Sequence, residues 1–300
     1  MTTVPPAGPP ASLAAGAGQS TPAPAVDPSM KPRAGSSAKS LLLTILGEFV
    51  LPRHGSAWTS TIVRALGALG VEERNARQAL FRLAERGFVR SEKEGRRARW
   101  HLTGQGTRLL TAGTHRIYEF GRCDDTWDGR WLVILCFVAE EQRTKRHQLR
   151  AQLSFAGFGF LAPGVAVSPH LHQEAEAHSA LKELGLLPGA VVLRAETGEL
   201  IDADELLRRA WDLDDLSSRY QEFQAEFAPL APVSDEGRFA GVVELVHAWR
   251  RFPFIDPEIP PRLLPPDWPG CTAKELFDSR HATWAPGARA WYDSAESAGA

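Results

Sequence analysis

Cysteine is scarce in this 300-residue chain, with three in all. Cys123, Cys136 and Cys271 lie far apart, and no Cys-x-x-Cys pair occurs. The usual zinc and redox spacings are therefore missing, no disulfide framework is expected, and a reducing cytoplasm is the expected setting. No apolar run reaches the roughly 18 residues of a membrane-spanning helix, so no membrane association is expected. The N-terminal stretch "MTTVPPAGPPASLAAGAGQSTPAPAVDPSM" has neither a basic start nor an apolar centre, which argues against a signal peptide. Its Pro, Ala, Gly and Ser cannot bury enough surface to offset the entropy of ordering, so residues 1–37 are read as a disordered tail. Gly-x-Ser-x-Gly and a phosphate-cradling glycine loop are both missing. His170 and His172 stand two apart with no third ligand nearby. Enzyme chemistry, a metal and a cofactor are accordingly not expected.

What is present is unevenly distributed charge. The formal net charge is only -2, yet from Lys31 to Arg122 there are 17 Lys and Arg against 7 Asp and Glu. From Cys123 onward the counts are 17 and 28. Local rather than net charge sets attraction to a polyanion, so a basic N-terminal region joined to an acidic remainder points to nucleic acid.

The basic region has helical periodicity. Leu41, Leu42, Ile45, Leu46 and Phe49 share a face after Ser40, which is placed to cap, and Pro52 stops the run. A second helix begins at Thr59 or Ser60 and ends at Gly70, and a third runs from near Glu72 to Gly87. "FVRSEKEGRRARWHLT" reads as two strands around Gly95. Three short helices followed by a hairpin is the order of a winged helix-turn-helix. On the third helix Ala76, Ala79, Leu80 and Leu83 fall on one side; Arg74, Asn75, Gln78, Arg82 and Glu85 fall on the other, with Arg77 at the flank. Arg, Asn and Gln form bidentate bonds to guanine and adenine edges in the major groove. Arg96, Arg97 and Arg99 in the hairpin could reach phosphates or a narrow minor groove. Phe81, on the polar side, either packs under the wing or touches a thymine methyl.

After the bridging segment "GTRLLTAGTHRIYEFGRCDD", strand and helix patterns alternate over some seventy residues, suggesting a ferredoxin-like unit. "WLVILCFV" is its buried first strand. From Asp204 onward helices dominate. The expected fold class is α+β: a winged helix-turn-helix over 38–112, a linker at 113–126, a ferredoxin-like unit over 127–200 and a helical region over 201–300.

These pieces resemble the PaaX family of bacterial transcriptional repressors from about Ser40 to Tyr292. "SLLLTILGEFVLPRHGSAWTSTIVRAL" looks like the family's opening helices, and "ERNARQALFRLAERGFV" with "GRRARWHLT" is similar to its recognition helix and wing. "WDGRW" matches the start of the central domain, which has the Cas2 fold. "HAWRRFPFIDPEIPPRLLPPDWPG" is the most specific match. Phe81 stands where the family usually has serine. The resemblance implies a homodimer that binds a double-stranded operator and is released by a small effector, in the best-known members an aryl-acetyl-CoA thioester. An acyl-CoA site needs an apolar slot and cations for phosphate, for which Trp211, Tyr220, Trp249, Arg250 and Arg251 are the candidates. The Cas2 likeness raises an alternative, a metal-dependent nuclease. Against it, the first strand ends in Ala139, Glu140 and Glu141, and Asp128 lies before that strand.

The expected dimer contact lies after Cys123, where the apolar helices around Tyr220–Phe227 and Val242–Trp249 offer surface. The winged helices would project from it.

Overall fold

The structure is a computed structural model and describes residues 37–122, 127–199 and 201–299. Residues 1–36 of the expected tail lie outside these.

Helix α1, Ala38–Ile45, is capped by Ser37, whose Oγ accepts from the Ser40 amide at 3.2 Å. The cap is thus three residues earlier than expected, and Ser40 lies inside the helix. A π-helical turn, Leu46–Val50, extends it. Then come β1 (Ser56–Trp58), α2 (Thr59–Gly67), α3 (Glu73–Glu85), β2 (Val89–Glu94) and β3 (Arg97–Leu102). The three strands pair in the order β1-β3-β2, so the hairpin gains a short third strand that was too brief to leave a sequence pattern. Glu94 pairs with Arg97, leaving Gly95 and Arg96 as a two-residue turn. Gly95 sits at φ 63°, the left-handed geometry such a turn requires at its first central position.

The bridging segment is a helix, α4 (Gly104–Glu119), capped by Thr103. It occupies the first half of the expected linker at 113–126. Its glycines at 104, 106 and 113 interrupt the apolar repeat, which hid the helix from periodicity.

The central region runs β4 (Trp131–Cys136), α5 (Arg143–Phe155), β5 (Gly159–Ala162), β6 (Val165–Ser168), α6 (Glu174–Glu183) and β7 (Ala190–Ala195). Its antiparallel sheet has the order β5-β6-β4-β7, a split βαββαβ connectivity. One sheet face packs on Leu149, Leu153, Ala177 and Leu181 of α5 and α6. The other is covered by α7 (Ala203–Ala210) and by Ile259 and Leu263. Both faces are therefore covered around β4, in keeping with its continuous apolar run, while Val191 and Leu193 of the edge strand β7 stay exposed. Gly159 permits the close approach of α7, since a Cβ there would lie 2.6 Å from the Trp211 ring.

The last helices are α8 (Leu213–Phe227), α9 (Asp235–Trp249) and α10 (Pro269–Gly299). Their apolar residues do not form a separate core. One contiguous core joins Leu41, Ile45, Leu66 and Leu80 of the first helices to Phe223, Val243, Trp249 and Phe277. Trp249 is its hub: its ring stacks on Phe277 at 4.9 Å, lies 5.3 Å from Phe223, and its Nε1 donates to the Ile117 carbonyl of α4 at 3.2 Å. The apolar faces expected to form a dimer contact, Tyr220–Phe227 and Val242–Trp249, are thus spent inside one chain. Nor do α1–α3 and the hairpin project freely, because the end of α10 grips them. Arg53 makes a two-pronged bond to Asp293 (2.5 and 3.2 Å), and the Trp58 amide donates to Glu296 at 3.3 Å. Cys271 is disulfide-bonded and Cys136 is free, which corrects the expectation of no disulfide. Residue spacing alone does not reveal which chain segments fold together.

Candidate nucleic-acid interface

Helix α3 is built to leave one face bare. Ala76, Ala79, Leu80 and Leu83 are buried against α1 and α2, while Arg74, Asn75, Arg77, Gln78, Phe81 and Arg82 are exposed. The small alanines allow the close packing that fixes this orientation. Asn75, Gln78 and Arg82 border a groove of about 520 Å³, with Lys39 of α1 on its other wall. Lys39 was not singled out from sequence, because a lone lysine in a first turn carries no pattern. Arg77 is partly engaged, with its Nε on Glu73 at 2.8 Å one turn back. Both partners are largely exposed, so the pair is worth only a few tenths of a kcal/mol and yields easily to a better anion. Phe81 is 60% exposed and touches the Trp100 ring of β3 edge-on at 5.8 Å. It therefore leans on the hairpin and still presents most of its ring outward.

The three hairpin arginines separate by role. Arg96, at the tip, is exposed, with no carboxylate partner among the described residues. Arg97 donates through Nη1 to the Gly299 carbonyl at 3.0 Å. Arg99 is half-buried: it lies over the Trp58 ring at 5.0 Å, donates to Ser56 Oγ at 3.1 Å and faces Glu296 at 3.6 Å. Arg99 thus anchors α10 and is withdrawn from the outer face. Arg97 is shared between the two tasks.

The effector candidates do not converge. Trp249 and Tyr220 are core residues, 0% and 1% exposed. Trp211 packs in a different cluster, beside Trp131 at 6.5 Å, with its Nε1 on the Gly157 carbonyl. Arg250 and Arg251 directly follow α9, near α1 and α4. Tyr220 does border a cleft of about 480 Å³ between the central and last regions, and its hydroxyl donates to Asp256. Burial raises the Asp256 carboxyl to about 6, against the opposing pull of that hydroxyl and the Glu258 amide. Glu258 and Asp128 also line this cleft, Asp128 paired with Arg130, together with Arg122, His170 and His172, so its lining is mixed in charge. His170, on the same wall, meets the Glu258 carbonyl at 2.8 Å, and burial lowers its pKa.

The carboxylates flanking β4 are engaged by arginine. Asp128 is held by Arg130 at 2.5 Å, and Glu140 by Arg146 at 2.7 Å, which lowers both carboxyl pKa values. Among the described residues no three His, Cys, Asp or Glu gather as a metal site. No helix among them is long and apolar enough to cross a membrane.

A basic helix-and-hairpin face, locked by a common core to a helical region, with a split βαββαβ sheet between the two in sequence, defines a three-part α+β protein with a positive surface. The chain belongs to the PaaX family. Residues 37–106 match "PaaX-like protein", 124–207 "PaaX protein central Cas2-like domain" and 211–294 "PaaX-like protein C-terminal domain". It is 30% identical to the transcriptional repressor PaaX of Escherichia coli K12 over 266 residues, 85% of this chain and 83% of that protein. In fold it is similar to the uncharacterized protein Rv0674 of Mycobacterium tuberculosis, with TM-score 0.59 and 22% identity, covering 85% of this chain and 98% of that one.

Proposed function

We propose that the chain is a transcriptional repressor acting in the cytoplasm as a winged helix-turn-helix protein. Helix α3 lies in the major groove of a double-stranded operator, and the β2–β3 hairpin serves as the wing. The observation that carries this reading is the bare face of α3, where Arg74, Asn75, Gln78 and Arg82 stand exposed above an alanine-lined underside. Genomic footprinting of the purified protein tests it: discrete protected sites sharing one motif are expected, and uniform coverage would refute it. A nuclease reading is not favoured, because the flanking carboxylates are neutralised by arginines.

In this reading Arg96 is the wing's phosphate contact. Arg96→Ala should weaken binding to all duplexes alike and lower the salt slope by about one unit. Titration of binding against salt concentration checks this.

Two-fold operators call for a dimer. With the faces of α8 and α9 buried, its surface is assigned to β7, an edge strand whose Val191 and Leu193 are 49% and 45% exposed. Val191→Asp with Leu193→Asp is expected to turn a sedimenting dimer into a folded monomer. Release from DNA is assigned to a small effector of the acyl-CoA thioester class.

A further inference from the structure

A second groove, of about 380 Å³, opens between α1, α4 and the end of α9. Its floor is apolar, with Leu43, Leu110, Ile117 and Val246, and Phe254 forms a lip that is 53% exposed. Three guanidinium groups surround it. Arg250 is half-buried and spends Nη2 on Ser40 Oγ at 2.7 Å. Arg116 donates to the Pro253 carbonyl and lies over the Phe254 ring at 4.6 Å. Arg251 is exposed, and no carboxylate pairs with any of the three among the described residues. The single carboxylate in the lining, Glu48, is already occupied by Tyr118 at 2.6 Å and by His281 at 3.2 Å.

We infer that this groove is the effector site, and that it takes an amphipathic anion whose acyl group fills the slot while a phosphate-bearing carrier rests on the arginines. The inference builds on the repressor reading and locates the ligand within it. Three unneutralised guanidinium groups beside an apolar slot offer charge-assisted bonds to phosphate and a dry place for a hydrocarbon or aryl group. The larger cleft is less suited to phosphate, since Asp256 and Glu258 in its lining would repel it and Asp128 there is already paired with Arg130. Position suits regulation as well. One wall of the groove is α1, and α1 packs directly on α3. An occupant that displaces α1 therefore moves the reading helix, and linkage requires that DNA and ligand weaken each other by the same factor.

Two variants of the full chain test this without touching the reading face. Gly113 lines the slot, and a Cβ there meets nothing within 4 Å, so Gly113→Leu adds its side chain to open space. Arg251→Glu reverses an exposed charge. Calorimetric titration would use an aryl-acetyl-CoA thioester, free CoA and the free aryl-acetate. Binding of the thioester to the wild type, weakened about tenfold or more by each variant while operator affinity is kept, is the expected result. Thioester binding that both variants leave unchanged would overturn this site and leave the effector class standing. A wild type that binds its operator but none of the three probes would overturn the effector class and this site together.

Discussion

Trp249→Ala is expected to destabilise the chain by about 3–5 kcal/mol, the range for removing a large aromatic from a core. The ring is fully buried, and its loss opens a cavity bordered by Phe223, Phe252 and Phe277. It also strips the Ile117 carbonyl of its Nε1 donor. The informative readout is where the damage travels. Because α1–α3 share this core with α8–α10, amide protection in α3 should fall along with that in α10 in native-state hydrogen exchange. Undiminished protection in α3 would mean that the reading unit is stable without its partner.

The second large effect is expected at the interface itself. Gln78→Ala with Arg82→Ala should cost about 1–3 kcal/mol per lost base contact and flatten the preference at the base pairs they read. Both side chains are exposed and border the groove beside α3, so stability should stay within about 0.5 kcal/mol of the wild type. A binding-site selection run with the double variant measures both affinity and preference. An unaltered motif would remove α3 from the major groove.

Periodicity made α3 readable from sequence, because its alanine side and its Arg, Asn and Gln side are separated by the helical repeat alone. The hairpin was equally open, since Gly95 marks its turn. Other features depended on distant partners. Arg96, Arg97 and Arg99 are chemically identical, and partners distant in sequence distinguish the exposed one from the anchored two: Gly299 for Arg97, and Glu296 with Ser56 and Trp58 for Arg99. Arg116 was overlooked because its helix is interrupted by glycines and its value lies in meeting Phe254. The helical repeat of α9 showed that it would be buried but not against what, so the core shared with α1–α3 was read as a surface for a second copy.

The grip of α10 on the hairpin also bears on how the protein is made. The ribosome releases α1, α2, α3 and the hairpin first, yet Arg53, Trp58 and Arg97 find their partners only when Asp293, Glu296 and Gly299 emerge. The unit synthesised earliest is completed last. Its contacts are of very long range in sequence, which slows closure and leaves apolar helix faces uncovered in the nascent chain. A polypeptide still being translated should therefore be a poor ligand for DNA and a good one for chaperones, so that competence to repress arrives only with the final turns of α10.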